Sequence, residues 1–433
     1  MKTQVEHARN GKVTAQMDKI AKTEGIDLLD LISSIAKGSA IIMCRDGKSV
    51  GIGKGLKTKV NVNIGTSSLK IDPREEVTKA CIAEKYGADT LTDLSMGGNI
   101  SEIRKMIFVN TTIPLTTVPI YQTAAETGLS NMTEDDILKD LVRQAEEGIS
   151  SFVLHCTDKK TLSMLKERER IMGVVSKGGS ITCAYMTINR LENPFVENFD
   201  KILGLLKKHD IVLSLGNTMR SGCIHDARDR AQLEEIRTNV QLAKRASEVG
   251  VQVMIEGTGG HVRADRIAEY VKFHKQSSQF PLFVAGPLPT DVAVGYDHIA
   301  GAVGASIASG AGADYLCYIT PSEHLGLPGP EQVREGLLAF RIAAHIGDSV
   351  KYGTSERDRE LAAKRAELDW EGQMGYALDS ERARELAPHE GPCTMCGDFC
   401  AIKIMKEFPM KNISSPLQPA DSSYHRNNKI SKP

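Results

Sequence analysis

From about residue 74 onward, short apolar runs alternate with longer segments in which apolar residues recur every three to four positions. The short runs are typical of buried strands and the longer segments of amphipathic helices. Strands are predicted over eight runs, at residues 88–94, 114–120, 151–156, 171–175, 211–216, 251–257, 281–286 and 313–320. Because eight strand–helix repeats of this length usually close on themselves, the pattern favours a TIM (βα)8 barrel over an open α/β sheet.

The residues on either side of these repeats have different patterns. Residues 1–72 predict a small α/β region, in which two glycine-broken apolar runs follow two amphipathic helices, near 14–22 and 27–37. The barrel is then expected over 73–348, and a charged helical extension over 349–388. Residues 389–433 begin with a group of cysteines and end in a polar stretch with the composition of a mobile tail.

The segments that follow the predicted strands are polar or rich in glycine, as in HCTD, SKGGS, EGTGGHV and TPSEHLG. In a TIM barrel these loops meet at the carboxyl ends of the strands, which is the face that carries active sites. Glycine and polar residues also simply end strands, so a single loop of this kind indicates little. Eight such loops together predict a functional site at this face.

The overall composition excludes several classes of protein. The 433 residues are 41% hydrophobic and 25% charged, which is typical of a globular protein. The formal net charge of -1 offers nothing that attracts nucleic acid or an anionic membrane. No apolar run reaches the roughly 18 to 20 residues that cross a bilayer, and the first residues lack the apolar segment of a secretory signal. We therefore expect a cytoplasmic protein with neither a nucleic acid nor a membrane as its partner.

Three of the nine cysteines lie together in PCTMCGDFCAIK, at Cys393, Cys396 and Cys400, while the other six are scattered and typical of small buried side chains. The C-x2-C-x3-C spacing is one thiolate short of a closed zinc site or a fully ligated cluster. An iron–sulfur cluster on three cysteines leaves one iron open, and the known use of that position is to bind S-adenosylmethionine. There are two alternatives. One is a structural zinc whose fourth ligand is His389, and the other is that the three thiols have no common role.

Two histidines follow predicted strands and are candidates for a metal site. His261 in EGTGGHV and His324 in SEHLGLP come after the sixth and eighth strands, and two imidazoles imply an open ion completed by water. Taken singly, a histidine of this kind is more often a hydrogen-bonded loop residue than a metal ligand, and His298 in GYDHI is a third candidate. The loops SKGGS and GTGGH offer backbone N–H groups to a phosphate, with positive charge from Lys177 and Arg220.

Several of these segments match motifs of one known family. The motifs KTKVNVNIGTS, TVPIYQ, GPLPTD, LCYITPSEHLGLP and CTMCGDFCAIK resemble the phosphomethylpyrimidine synthase family of radical S-adenosylmethionine (SAM) enzymes, over about residues 5 to 405. The resemblance implies that the substrate is 5-aminoimidazole ribotide, that the protein is a homodimer, and that an external donor supplies electrons. It also implies SAM, a 4Fe-4S cluster on Cys393, Cys396 and Cys400, and one mononuclear divalent metal, zinc or iron, on His261 and His324.

The resemblance also assigns substrate contacts by position. Those unchanged in type from the family pattern are Asn63, Tyr121, His155, Ser176, Gly178, Arg220 and Glu256. Glu256 is carried over as a catalytic residue together with the three cluster cysteines. The contacts that depart from the family pattern are Thr92, Lys177, Asn217, Thr218, Met219 and Phe283, and EGTGGHVR contains an inserted glycine.

The departures lie in strand-end loops while the scaffold motifs are intact, so we expect the same substrate and an altered rearrangement. This description fits the 5-hydroxybenzimidazole synthases, a branch of the family. The implied reaction converts 5-aminoimidazole ribotide to 5-hydroxybenzimidazole, with release of formate and phosphate, for the cobalamin lower ligand. The alternative is a phosphomethylpyrimidine synthase, which makes hydroxymethylpyrimidine phosphate for thiamine from the same substrate. An inactive metal-binding barrel and a zinc-dependent hydrolase are the remaining alternatives.

Overall fold

The computed structural model describes residues 2–167, 170–388 and 390–408. The chain divides into two compact units, the first ending at Ser355 and the second beginning at Glu356. Of the sequence predictions, the polar tail after residue 408 and the side chain of His389 lie outside the described residues. No helix in the described part of the chain is long and apolar enough to cross a membrane.

The first unit begins with a small α/β region. Its helices and antiparallel hairpin are α1 (Gln4–Arg9), α2 (Ala15–Glu24), α3 (Leu28–Ala36), β1 (Ala40–Arg45) and β2 (Lys48–Gly53). Both helices predicted before residue 40 are therefore confirmed. The α2 helix begins where it does because the Thr14 hydroxyl accepts a hydrogen bond from the backbone N–H of Met17, which would otherwise lack a partner.

Eight parallel strands then close into a barrel, and the predicted TIM fold is confirmed. In chain order they are β3 (Lys59–Ile64), β4 (Thr90–Asp93), β5 (Leu115–Thr117), β6 (Ser151–Leu154), β7 (Val212–Leu215), β8 (Val253–Glu256), β9 (Leu282–Ala285) and β10 (Tyr315–Cys317). The last strand pairs in parallel with the first, which leaves no open edge.

Helices surround the strands. They are α4 (Pro73–Lys85), α5 (Ile100–Asn110), α6 (Pro119–Thr127), α7 (Glu134–Glu146), α8 (Lys159–Ser163), α9 (Lys177–Asn189), α10 (Pro194–Glu197), α11 (Phe199–His209), α12 (Arg230–Glu248), α13 (Ala264–Ser277), α14 (Asp297–Ala311) and α15 (Pro330–Tyr352). The main core lies between these helices and the outer faces of the strands, so each strand is buried on both sides.

One of the eight predicted strands is wrong, and the first barrel strand was missed. Residues 171–175 form no strand, because the side chain of Ile171 is 69% exposed and the Asp226 carboxylate accepts the backbone N–H groups of Ile171 and Met172. The missed strand is β3, whose alternating valine and asparagine residues resemble a half-exposed strand. In the barrel the Asn61 side chain is fully buried and accepts hydrogen bonds from the hydroxyls of Thr90 and Thr92.

The β1–β2 hairpin packs against the barrel at the end opposite to the strand-end loops. Its apolar residues Ile41 and Met43 form a cluster with Val212, the first residue of β7. The side-chain oxygen of Gln252, which lies just before β8, accepts the backbone N–H of Ile42 at 2.7 Å. The hairpin therefore covers the amino-terminal end of the barrel and leaves the carboxyl end accessible.

The second unit is helical in its described part. It contains α16 (Glu356–Glu367), α17 (Trp370–Met374), α18 (Ser380–Leu386) and, after the cysteines, α19 (Ala401–Glu407). The indole N–H of Trp370 donates a 2.8 Å hydrogen bond to the carbonyl of Gly391, two residues before Cys393. This bond fixes the start of the cysteine segment to the helical extension.

Candidate active site

A cavity of about 260 Å³ lies at the carboxyl ends of the barrel strands. Every strand, or the loop after it, contributes to its lining. Ten of the predicted site residues line this cavity: Asn63, Thr92, Tyr121, His155, Ser176, Arg220, Glu256, His261, Phe283 and His324. The structure thus brings together side chains that are separated by up to 261 positions in the sequence.

Five predicted substrate contacts do not line this cavity. Lys177 lines an adjoining cavity of about 190 Å³ that shares Asn63, Glu323 and His324 with the main one. Gly178, Thr218 and Met219 are buried beneath the cavity wall, and Asn217 lines a separate small cavity between α12 and α13. Their contribution to the site therefore comes through neighbouring residues, as described below.

His155 is held at the cavity wall by two hydroxyl groups. Its Nδ1 lies 3.2 Å from the Thr218 hydroxyl and its Nε2 lies 3.3 Å from the Ser176 hydroxyl. Burial, reinforced by the charge of Arg220, lowers the pKa of His155 to about 3, so the imidazole is neutral. A Cβ at Gly178 would lie 2.5 Å from the His155 ring, which explains why glycine occupies this position.

Ser176 also begins helix α9 at the edge of the cavity. Its hydroxyl accepts a hydrogen bond from the backbone N–H of Gly179. The following residue, Lys177, places its ammonium group 5.2 Å from the centre of the Tyr121 ring. The positive end of a helix dipole together with a cation is suited to a phosphate group.

Glu256 and Arg220 form the charged part of the cavity. Burial raises the pKa of Glu256, and the positive charge of Arg220 and a hydrogen bond from the backbone N–H of Asn217 act in the opposite direction. The family pattern has an acidic side chain where this chain has Asn217, but here it is the backbone of Asn217 that contacts Glu256. A carboxyl group with a raised pKa in a cavity is suited to proton transfer.

Glu235 positions the loop that carries Arg220, and the sequence analysis missed it. This residue of α12 accepts the backbone N–H groups of Thr218 at 2.8 Å and of Met219 at 2.9 Å. Burial raises the pKa of Glu235 to about 7 in spite of these bonds. The available signal was the segment DRAQ at residues 229–232, which begins the helix on which Glu235 lies.

The end of β10 contributes residues that were also missed. The thiol of Cys317 lines the cavity and accepts a 3.0 Å hydrogen bond from the side-chain amide of Asn63. Burial raises the pKa of Cys317 to about 12, so its thiol is protonated near neutral pH. Glu323 also lines the cavity, and burial raises its pKa. The available signal for Glu323 was the polar loop after the last strand, whereas Cys317 is part of that strand.

His261 and His324 lie side by side at the rim of the cavity. Their ring centres are 5.2 Å apart, which is close enough for two imidazole nitrogens to share one divalent ion. Within the described residues there is no group of three or more histidine, cysteine or acidic side chains arranged to hold a metal. Any ion on these two histidines therefore keeps coordination positions open for water or substrate. His298 does not line the cavity.

The three cysteines of the second unit are not arranged as a ligand set among the described residues. Cys396 is exposed, Cys393 is partly exposed and Cys400 is buried, and all three are free thiols. Thiolates repel one another without a cation between them, so a metal centre usually organises its own ligands. Three thiols on one short segment with one missing partner fit a cluster with an open iron.

Comparison with known proteins decides the family. A model described as the radical SAM ThiC family matches residues 3–407. The chain belongs to this family. It is therefore a radical SAM enzyme, and membership implies a 4Fe-4S cluster and SAM. The matched range includes the cavity residues and all three clustered cysteines.

The chain is also similar over nearly its whole length to named members of the radical SAM ThiC family. Phosphomethylpyrimidine synthase 1 of Methanosphaera stadtmanae is 44% identical over 427 residues, which cover 95% of this chain and 99% of that protein. Phosphomethylpyrimidine synthase of Dehalococcoides mccartyi is 45% identical, with 94% of this chain and 98% of that protein covered. These names support the thiamine alternative better than the expected 5-hydroxybenzimidazole synthase.

Proposed function

We propose that this enzyme rearranges 5-aminoimidazole ribotide, with SAM as its co-substrate, to hydroxymethylpyrimidine phosphate for thiamine biosynthesis. The observation that carries the proposal is the convergence of the family's substrate contacts on one cavity at the carboxyl face of the barrel. The names of the relatives support the product.

Different cavity residues bind the substrate and transfer protons. The N-terminus of α9 and Lys177 bind the phosphate, and neutral His155, whose two ring nitrogens are engaged by Thr218 and Ser176, forms part of the wall beside the substrate. Glu256 takes up or releases a proton beside the reacting ring, and the positive charge of Arg220 opposes the rise in its pKa that burial causes. When bound to Cys393, Cys396 and Cys400, a reduced 4Fe-4S cluster supplies the electron that cleaves SAM to methionine and a 5'-deoxyadenosyl radical.

A divalent ion belongs to the same proposal. His261 and His324 would hold it, since their rings face each other across 5.2 Å at the rim of the cavity. Zinc and iron both accept imidazole nitrogens together with oxygen ligands in an open site. An ion there supplies a Lewis acid for an amino or carboxylate group that enters the cavity.

A second candidate product is 5-hydroxybenzimidazole, for cobalamin. Among the departures from the family pattern, Thr92 and Phe283 line the main cavity, and Phe283 stacks on Tyr315 with ring centres 4.2 Å apart. The family tyrosine at this position would offer a hydroxyl group to the substrate. Phenylalanine at position 283 has no hydroxyl group. Loss of this hydrogen bond changes the stabilisation of a reactive intermediate, and this change favours a different product.

An anaerobic incubation separates the two products. With 5-aminoimidazole ribotide, SAM and a chemical reductant, we expect hydroxymethylpyrimidine phosphate and 5'-deoxyadenosine in the mass spectrum. The Phe283→Tyr variant, which restores the family side chain, is expected to form the same product. If the parent instead forms 5-hydroxybenzimidazole, the second candidate is correct. Absence of both products and of 5'-deoxyadenosine would overturn the proposal.

We further propose that the enzyme is a homodimer. Two apolar stripes are exposed on the helices α14 and α15, with Ile299 and Val303 on the first and Ile342, Ile346 and Val350 on the second. Spacing by four residues places each stripe on one helix face, and a second copy of the chain would remove these side chains from water.

The dimer is tested by sedimentation velocity. Ile346→Glu is expected to convert the parent dimer to a monomer, because a buried unpaired carboxylate is costly at an apolar interface. Val109→Glu is the matched control, since Val109 is an exposed apolar residue on another helix, α5. A parent that sediments as a monomer contradicts the proposal.

A further inference from the structure

The backbone of His261 is fixed between two loops of the barrel. Its N–H donates to the carbonyl of Ser221 at 3.1 Å, and the Ser221 hydroxyl donates to the carbonyl of His261 at 2.6 Å. Gly260, just before the histidine, has a φ of +84° and approaches Ser221 so closely that a Cβ would lie 2.3 Å from its carbonyl oxygen. The direction of the His261 side chain is therefore set by the β7 loop.

A carboxylate also determines which ring nitrogen of His261 is free. Its Nδ1 lies 2.6 Å from Oδ1 of Asp291, a distance at which an Nδ1–H donates a hydrogen bond to the carboxylate. Asp291 in turn accepts the backbone N–H of Ile224 at 3.2 and 3.1 Å. This arrangement keeps the proton on Nδ1 and leaves the lone pair of Nε2 available.

His324 has a corresponding carboxylate. Its Nδ1 lies 3.7 Å from Oδ1 of Asp297, the first residue of α14. The Asp297 side chain is 3% exposed, and its Oδ2 has no hydrogen-bond partner within the described residues. His324 itself has a φ of +63°, a left-handed conformation that costs a non-glycine residue free energy and is typical of functional positions.

We propose that Asp291 and Asp297 are positioning residues that hold both imidazoles with Nδ1 protonated and both Nε2 atoms aimed at one divalent cation. The inference rests on the divalent ion of the proposed function and goes beyond it by assigning the ligand atoms and their supporting carboxylates. Carboxylate–histidine pairs of this kind orient the ring and raise the basicity of the nitrogen that binds the metal.

The pair formed by Asp291 and His261 also connects the metal site to the substrate loop. Ile224 lies four residues after Arg220, and its backbone N–H is held by the same carboxylate that orients His261. Movement of the Arg220 loop is therefore coupled to the orientation of a metal ligand. Asp297 provides no such connection through the contacts that the structure describes, so Asp291 is the more informative residue to change.

The proposal is tested by metal affinity in the full-length chain with Cys393, Cys396 and Cys400 replaced by alanine, so that thiols do not compete for the ion. Co²⁺ is titrated while its visible absorption is followed, and Zn²⁺ is then added in competition. We expect Asp291→Asn to weaken binding by about 10- to 100-fold, the range seen when such supporting carboxylates are removed. Asp291→Glu is expected to recover part of the affinity.

Asp265→Asn is the matched control, because Asp265 is exposed and pairs with Arg263 outside the cavity. It is expected to leave Co²⁺ affinity unchanged, and thermal melting checks that all variants fold. Asp291→Asn and Asp297→Asn variants that both bind Co²⁺ like the parent would overturn the inference, as would a parent without Co²⁺ binding. Formation of 5'-deoxyadenosine by the unaltered holoenzyme tests the proposed function separately, so either idea can fail alone.

Discussion

Cys396→Ala is expected to abolish the formation of 5'-deoxyadenosine while the barrel remains folded. Two thiolates cannot hold a 4Fe-4S cluster in place of three, and Cys396 lies in the second unit, outside the barrel core. The measurements are iron content and visible absorbance after anaerobic reconstitution, followed by chromatography of the products of SAM cleavage.

The only tryptophan of the chain gives this experiment a second readout. Trp370 is hydrogen-bonded to Gly391 at the start of the cysteine segment, so a cluster assembled there should quench its emission by energy transfer. Quenching is expected in the parent and in a control variant, Cys81→Ala, which removes an exposed thiol on α4. Retained SAM cleavage in Cys396→Ala would show that the cluster assignment is wrong.

Glu256→Gln is expected to slow product formation by about 100- to 10,000-fold, the usual contribution of a positioned acid or base. The amide is similar in size and can still contact the Asn217 backbone, but it cannot carry the proton. Cleavage of SAM should continue, since the cysteines are unchanged. Comparing 5'-deoxyadenosine with rearranged product therefore separates a proton-transfer defect from a loss of cluster. Equal turnover in Glu256→Gln and the parent contradicts a catalytic role.

The pH profile tests the same carboxyl group through Arg220. Burial already raises the pKa of Glu256, and the positive charge of Arg220 lowers it. Removing that charge in Arg220→Met raises the pKa further, so a higher pH is needed to ionise the same fraction of Glu256. The limb of the rate profile that reports this group is expected to move to higher pH. The exposed Arg237→Gln variant on α12 should leave the limb in place.

Much of the fold was predictable because its signals are local. Seven of the eight predicted strands overlap barrel strands, since buried parallel strands are short and almost continuously apolar. β3 was missed because the inside of this barrel is polar at Asn61, and a buried polar residue resembles an exposed one in sequence. Residues 171–175 were mistaken for a strand because they are apolar, although they form a loop from which Met172 and Val175 line the cavity.

The site was predictable as a set of loops but not as a set of contacts. Tyr121, His155 and Glu256 reach the cavity as the family motifs imply, because Glu256 ends a strand, His155 directly follows one, and Tyr121 lies in the first turn of the helix after β5. The role of Glu235 depends on how α12 packs beneath the loop after β7. No short sequence motif predicts that packing. Asn217 shows the same limit, since its side chain faces away from the substrate cavity and only its backbone contacts Glu256.

The hairpin that covers the amino-terminal end of the barrel has a consequence for the order of events in turnover. With that end filled by Ile41 and Met43, substrate, co-substrate and products pass through the mouth at the carboxyl face of the described barrel. A cavity that is closed at one end protects a reactive species from solvent once its other end is covered. It also makes covering and release mutually exclusive, so each catalytic cycle has to include one opening of the mouth before the next substrate enters.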